Sequence, residues 1–172
     1  MRDLFGDRRV VALLVVLVGG WLFLVVTTPK NVTMEKLETG MCIHVPTSAN
    51  GDPGAPMPIG VSGEVTGVLA YQGAVMAPCD SSHSHEVAGV FTAPGAVGAP
   101  YPGPAVLIEQ ARPTCEAAFA SYVGHPLDGS MFELTIAVPS SDTWAQARRA
   151  GACLVSRADG QFMTAKAGGS GK

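Results

Sequence analysis

The stretch "APCDSSHSHEV" at residues 77–87 places Cys79, Asp80, His83, His85 and Glu86 within eleven residues. Imidazole and thiolate are good ligands for zinc or copper, and an imidazole beside a carboxylate can move protons. On a strand, His83 and His85 would share one face. His44, close to Cys42 in sequence, would supply a third ligand if Cys42 and Cys79 were joined. An oxidised Cys79 cannot serve as a thiolate, so the most that metal binding could recruit is His44, His83 and His85. The expectation is therefore no metal and no cofactor. Instead, His83 is expected to bond the turn after Cys79, and Glu86 to meet a buried base. Arg149 is the candidate partner for Glu86, a pairing that would fix how the Trp144 segment docks. The chain has no G-x-S-x-G elbow and no H-E-x-x-H motif, and an even cysteine count argues against a free nucleophilic thiol. No enzymatic activity is expected.

The four cysteines are Cys42, Cys79, Cys115 and Cys153. No C-x-x-C occurs, so a thioredoxin-like role has little support and the cysteines read as structural bridges. Four cysteines permit three pairings, among which sequence does not choose. The sequential arrangement, Cys42 with Cys79 and Cys115 with Cys153, is the expectation. Each such loop is worth roughly 4 kcal/mol in the chain-entropy account.

Bridges need an oxidising compartment, and the N-terminus offers a route to one. Residues 10–28, "VVALLVVLVGGWLFLVVTT", carry no charge. As a helix they would extend about 28 Å, close to the hydrocarbon thickness of a bilayer. The run is longer than a signal-peptide core and lacks an Ala-x-Ala site, which favours an uncleaved signal anchor. Arg2, Arg8 and Arg9 precede it, so residues 1–9 are expected in the cytoplasm and the remainder outside. The organisation expected is a head at 1–9, a single transmembrane helix at 10–28, a linker at 29–37, an outer domain at 38–166 and a flexible tail at 167–172. The formal net charge is −3. A mildly acidic outer part with scattered Lys and Arg argues against nucleic acid as a partner.

The elements that must position these groups are legible in part. Residues 46–60 hold four prolines and three glycines and are expected to loop. The valine-rich stretch 62–79 suggests one or two strands, and "HEVAGVF" another with one wet edge. A second Pro/Gly loop ends at Pro104, well placed to begin a helix. Ile108, Ala111, Cys115, Ala118, Phe119 and Tyr122 recur at helical steps, and Gly124 suits a C-terminal cap. Pro113 predicts a kink or a split. "MFELTIAVP" is a strand with Phe132, Leu134, Ile136 and Val138 on one face. A short helix capped by Ser141 or Asp142 follows, and "ACLVSR" with "QFMTAK" reads as a hairpin around "ADG". The fold class is α+β: an antiparallel sheet with one main helix and a short second one. Trp144 reads as a core aromatic. Tyr101, held by prolines in "PYPGP", is the better recognition candidate.

Taken in order, "GMC" at 40–42, "PCDSSHSHEV", "YPG" at 101–103, Cys115 with Phe119 and Tyr122, and Pro139 leading into "TWAQARRAGAC" resemble the septum formation family over about residues 38–157. That resemblance implies an extracytoplasmic bacterial domain behind a membrane anchor, linked to cell division or the envelope, with no established reaction. Two function classes remain open at this stage: an anchored domain that binds another envelope or division protein, and an accessory subunit of an integral membrane complex. Metal binding through the histidines is a third.

Overall fold

The computed structural model describes residues 12–18, 21–27, 32–45, 66–69 and 74–172, with side chains at 32–45 and 74–172. The chain divides into two compact units, Met1–Asn31 and Val32–Lys172. In the first, β1 (Ala12–Val18) and β2 (Trp21–Thr27) form an antiparallel hairpin, from Ala12 opposite Thr27 to Val18 opposite Trp21. This differs from the single helix expected across 10–28. The run is rich in valine, whose branched side chain favours a pleated surface, and Gly19-Gly20 separates two strands of equal length, a hairpin pattern. Among the described residues no helix is long and apolar enough to cross a membrane.

The second unit is α+β. Its sheet contains β3 (Cys42–His44), β4 (Thr66–Leu69), β5 (Val75–Ala77), β6 (His85–Thr92), β7 (Phe132–Val138) and β8 (Ala150–Arg157), in the order β4-β7-β8-β6-β3-β5. Five of these strands run antiparallel to their neighbours, as expected, while β4 joins the edge beside β7 in parallel. The Pro/Gly stretch 46–60 and the head at 1–9 lie outside the described residues.

Helix α1 (Pro104–Val123) begins at its proline and ends at Gly124, whose φ of 84° is the left-handed cap conformation. It buries Leu107, Ala111, Cys115, Phe119 and Val123 against Phe132, Leu134, Ile136 and Val138 of β7. Ile108, Ala118 and Tyr122 flank that stripe, half-buried. The helix is continuous through Pro113, so the expected split does not occur. The proline deprives only the Glu109 carbonyl of a partner, and both residues are exposed, so water can replace the lost bond. The next turn is fastened to the sheet by Cys115.

The opposite face is buried as well. Val32 and Leu37 pack on Ile43, Val87, Ala137, Ala152 and Leu154, which explains why β7 and β8 are buried along nearly their whole length. The linker expected at 29–37 is thus partly a core element from Val32 onward, and Arg148 grips Glu35 with two hydrogen bonds of 2.6 and 3.0 Å. Helix α2 (Ser141–Ala145) is capped one residue earlier than expected: the Ser140 hydroxyl accepts from the Thr143 amide.

Two expectations near the C-terminus fail. "QFMTAK" does not pair with β8. It crosses to the start of β6, where the His83 and Met163 backbones exchange two 2.9 Å bonds. Residues 167–172 are not a free tail either: Ala167 is fully buried, Gly169 and Gly171 donate to the Tyr122 and Val123 carbonyls, and the Ser130 hydroxyl donates to the Lys172 carbonyl. Small residues here allow the backbone to lie close to α1, and a Cβ on Gly168 would fall 2.8 Å from the Tyr122 ring.

Candidate functional site

Both disulfides form in the sequential pairing, Cys42 with Cys79 and Cys115 with Cys153, and no described cysteine is free. The first joins β3 to the turn after β5. The second joins α1 to β8 inside the apolar core.

Beside the first bridge lies a fully buried carboxylate, Glu86, on β6. It faces α1, as does Ala88 two residues on. Its Oε1 accepts from His83 Nε2 at 3.0 Å and from the Ala167 amide at 2.7 Å. Its Oε2 accepts from the Tyr122 hydroxyl at 2.7 Å and from the Gly168 amide at 3.3 Å. One side chain therefore ties together the start of β6, α1 and the C-terminal segment. Four converging donors require an ionised acceptor. Burial pushes the Glu86 carboxyl up, but the bonds from His83, Tyr122 and the two amides outweigh it and hold it below the usual value.

The proton positions on His83 follow. Its Nδ1 lies 2.7 Å from the Ser81 carbonyl oxygen, which can only accept, and its Nε2 faces an ionised carboxylate. Both nitrogens must donate, so the ring is an imidazolium. Burial opposes that charge, yet the Glu86 and Ser81 contacts prevail and raise the His83 pKa. Burial, reinforced by its bond to Glu86, likewise raises the Tyr122 hydroxyl far above its usual value. With both His83 nitrogens and both Glu86 oxygens occupied, this arrangement acts first as a latch.

His85 is a different case. It points to the other face with Val87, and Ser84 Oγ lies 2.9 Å from its Nδ1. Ser84 in turn donates to the Ile43 carbonyl, so His85 Nδ1 carries the proton that Ser84 accepts. Burial, with nearby His44 and His83, lowers the His85 pKa to about 4 and keeps it neutral. His44 is half-buried, edge-on to Phe162 at 5.6 Å, and burial lowers its pKa too. The set His44, His83, His85 does not converge. Among the described residues the grouping with ligand spacing is Cys42, His83 and Glu86, whose atoms lie within 4.8 Å of one another. The Cys42 sulfur is in a disulfide and is not a thiolate ligand.

Glu86 and Arg149 do not meet. Glu86 pairs with Val155 at one end of the β6–β8 ladder, whereas Arg149 precedes Ala150, which pairs with Thr92 at the other. Arg149 belongs to a second cluster. Its guanidinium carbon lies 3.5 Å from the centroid of the Trp144 ring, and its Nη1 and Nη2 donate to the Trp144 and Ala96 carbonyls. Trp144 Nε1 donates to the Ala99 carbonyl at 2.7 Å, and the Tyr101 hydroxyl donates to that of Pro139 at 3.0 Å. Gly95 lies under the indole, where a Cβ would come within 2.8 Å of two ring carbons. The loop 93–103 is thereby clamped to the sheet end. Tyr101, proposed from sequence as the recognition residue, is half-buried and engaged within the clamp. The residue held outward is Val97, 85% exposed.

A family model described as septum formation matches residues 66–170, more than half of the chain. The chain belongs to the septum formation family. Membership points to a role in cell division or the cell envelope. The matched span takes in the septum formation domain's latch residues His83, Glu86, Tyr122, Ala167 and Gly168, while Cys42 and its strand precede it. No curated protein and no solved structure matches the chain.

Sequence reasoning singled out His83 and Glu86 but missed Tyr122, Ala167 and Gly168 as their partners. For Tyr122 a signal existed, since it lies at the edge of the helical stripe facing Glu86. For the two amides none did, because a backbone donor has no sequence signature.

Proposed function

We propose that the septum formation domain of this chain is a non-catalytic interaction module, held at the outer face of the cytoplasmic membrane, that engages a division or envelope protein through the loop 93–103. The observation that carries this reading is the clamp itself. Arg149 Nη2 and Trp144 Nε1 donate to the loop carbonyls of Ala96 and Ala99, and the Tyr101 hydroxyl ties the loop to Pro139, while its tip, Val97, meets solvent. A pre-ordered loop loses little entropy on binding, which is what a recognition surface needs. Two disulfides support an oxidising compartment, and the uncharged run 10–28 supports attachment to a membrane. The non-catalytic reading is supported by the saturation of the His83–Glu86 pair and by the lack, among the described residues, of a free thiol beside it.

A photoreactive amino acid at position 97, introduced in the full chain in living cells, tests the reading. Irradiation is expected to yield a defined adduct with one envelope or division protein, whereas the same group at exposed Thr114 on α1 yields none. Equal adducts from both positions, or none from position 97, would remove the loop from the account. An adduct retained in stoichiometric yield through mild detergent purification would instead favour a permanent subunit.

A further inference from the structure

We propose that Cys42–Cys79 is an exchange site for a thiol-bearing protein: Cys79 is the sulfur attacked, Cys42 the sulfur released, and His83 with Glu86 the pair that receives the released thiolate. The two sulfurs are unequal. Cys42 is buried, at 1% exposure, whereas Cys79 is half-buried, on the turn after β5. The Cys79 sulfur lies 3.5 Å from the Gly40 carbonyl oxygen. Gly40 also belongs to the wall of an open cleft shared with Thr39, Ala118, Tyr122, Lys166 and Gly168. Of the two residues Cys79 is the more exposed, which makes it the expected point of attack for a thiolate arriving from solvent.

The inner side of the bridge supplies what the leaving group requires. A disulfide opens faster when the departing sulfur is stabilised as a thiolate, and a neighbouring imidazolium does this. The Cys42 sulfur, a His83 ring nitrogen and a Glu86 carboxylate oxygen lie within 4.8 Å of one another. The second bridge has no such setting: Cys115 and Cys153 are buried among Phe119, Ile136 and Val155 in the apolar core. One bridge is a sealed staple and the other a staple with a cation behind it.

The chemistry balances with a protein dithiol as reductant. Its first thiolate bonds to Cys79 Sγ as the Cys42–Cys79 bond breaks, and the electron pair leaves on Cys42 Sγ. That thiolate is stabilised by the charge of the neighbouring His83 imidazolium, whose two N–H groups stay with Ser81 and Glu86, and takes its proton from water. The dithiol's second thiol then attacks its own sulfur in the mixed disulfide and releases Cys79 as a thiol. Two electrons and two protons pass from the dithiol to the bridge. The covalent tie between β3 and the edge strand β5 is thereby removed, while the α1–β8 bridge stays closed.

The test uses the intact chain, folded, with glutathione and with dithiothreitol, followed by acid quenching, alkylation and mass mapping. Cys42–Cys79 is expected to open at least tenfold faster than Cys115–Cys153. Glutathione is expected to be found on Cys79, with the alkylating label on Cys42. His83→Gln, which keeps a donor toward Glu86 but not the charge, is expected to slow opening at least threefold at unchanged circular dichroism. Glutathione on Cys42, or both bridges opening together only when the domain unfolds, would overturn the proposal. These two wild-type readouts stand whether or not the variant folds.

Discussion

Replacing Glu86 with alanine is expected to cost the Val32–Lys172 unit about 3–5 kcal/mol, the usual effect of breaking a buried, hydrogen-bonded charge pair from one side. The change strands a buried imidazolium, a phenol and two amides at once, and removes a side chain that ties β6, α1 and the C-terminal segment together. Against a typical net stability of roughly 5–15 kcal/mol, this leaves a marginal fold. Denaturant titration measures the loss. Trypsin should report its location, because the exposed Lys166 precedes the two amides that Glu86 holds.

The same variant carries a pH signature. The His83 pKa is raised in the folded state, so its contribution is complete below the unfolded value near 6.5 and fades as pH rises through the folded one. The Glu86 pKa is lowered, so its contribution is complete above its unfolded value near 4.5 and fades as pH falls through the folded one. His85 works the other way, but only below its unfolded value, since its folded pKa is lowered to about 4. Above the unfolded histidine value of 6.5, His44 and His85 lose their influence and the slope up to the raised His83 value reports His83. Wild type should lose stability as pH rises across that window, and Glu86→Ala should be nearly flat. A wild-type slope of zero would contradict the imidazolium assignment.

Removing the core bridge with Cys115→Ala and Cys153→Ala is expected to cost roughly 4 kcal/mol from loop entropy, with a further loss for the cavity left by the sulfurs. The Cys42–Cys79 bridge, removed by Cys42→Ala with Cys79→Ala, spans 37 residues against 38, so the entropic terms are nearly equal. The difference must come from packing. Cys115 and Cys153 are 0% and 1% exposed, whereas Cys79 is half-buried and leaves less of a void. Thermal unfolding of the two double variants should rank the core pair as less stable. The reverse order would mean that α1 is held by its apolar stripe alone.

Much of this architecture was legible because period and punctuation are local. The alternation at 131–139 and the proline and glycine bounding α1 carried through, whereas the sequential cysteine pairing, though it formed, was one of three that sequence left open. The illegible parts depended on tertiary neighbours. Residues 164–172 offer polar and small side chains without periodicity, and what holds Ala167 and Gly168 is a carboxylate about eighty positions earlier in the chain. Pro113 implied a break because the rule concerns an isolated helix, whereas here the stripe and Cys115 hold both halves to one sheet. Arg149 looked like the partner for Glu86 because opposite charges attract, but strand register put them at opposite ends of the same ladder. The valine-rich run 10–28 supports either a helix or a hairpin by pattern, since β-branched residues with a central Gly-Gly satisfy both templates.

The account depends most on location. A membrane-impermeant amine reagent, applied to cells stripped of their wall and read by mass spectrometry, tests it directly at Lys36 and Lys166, both exposed on the septum formation unit. Labelling equal to that in permeabilised cells is the predicted result. Labelling of both lysines only after permeabilisation would place the unit inside and contradict the account.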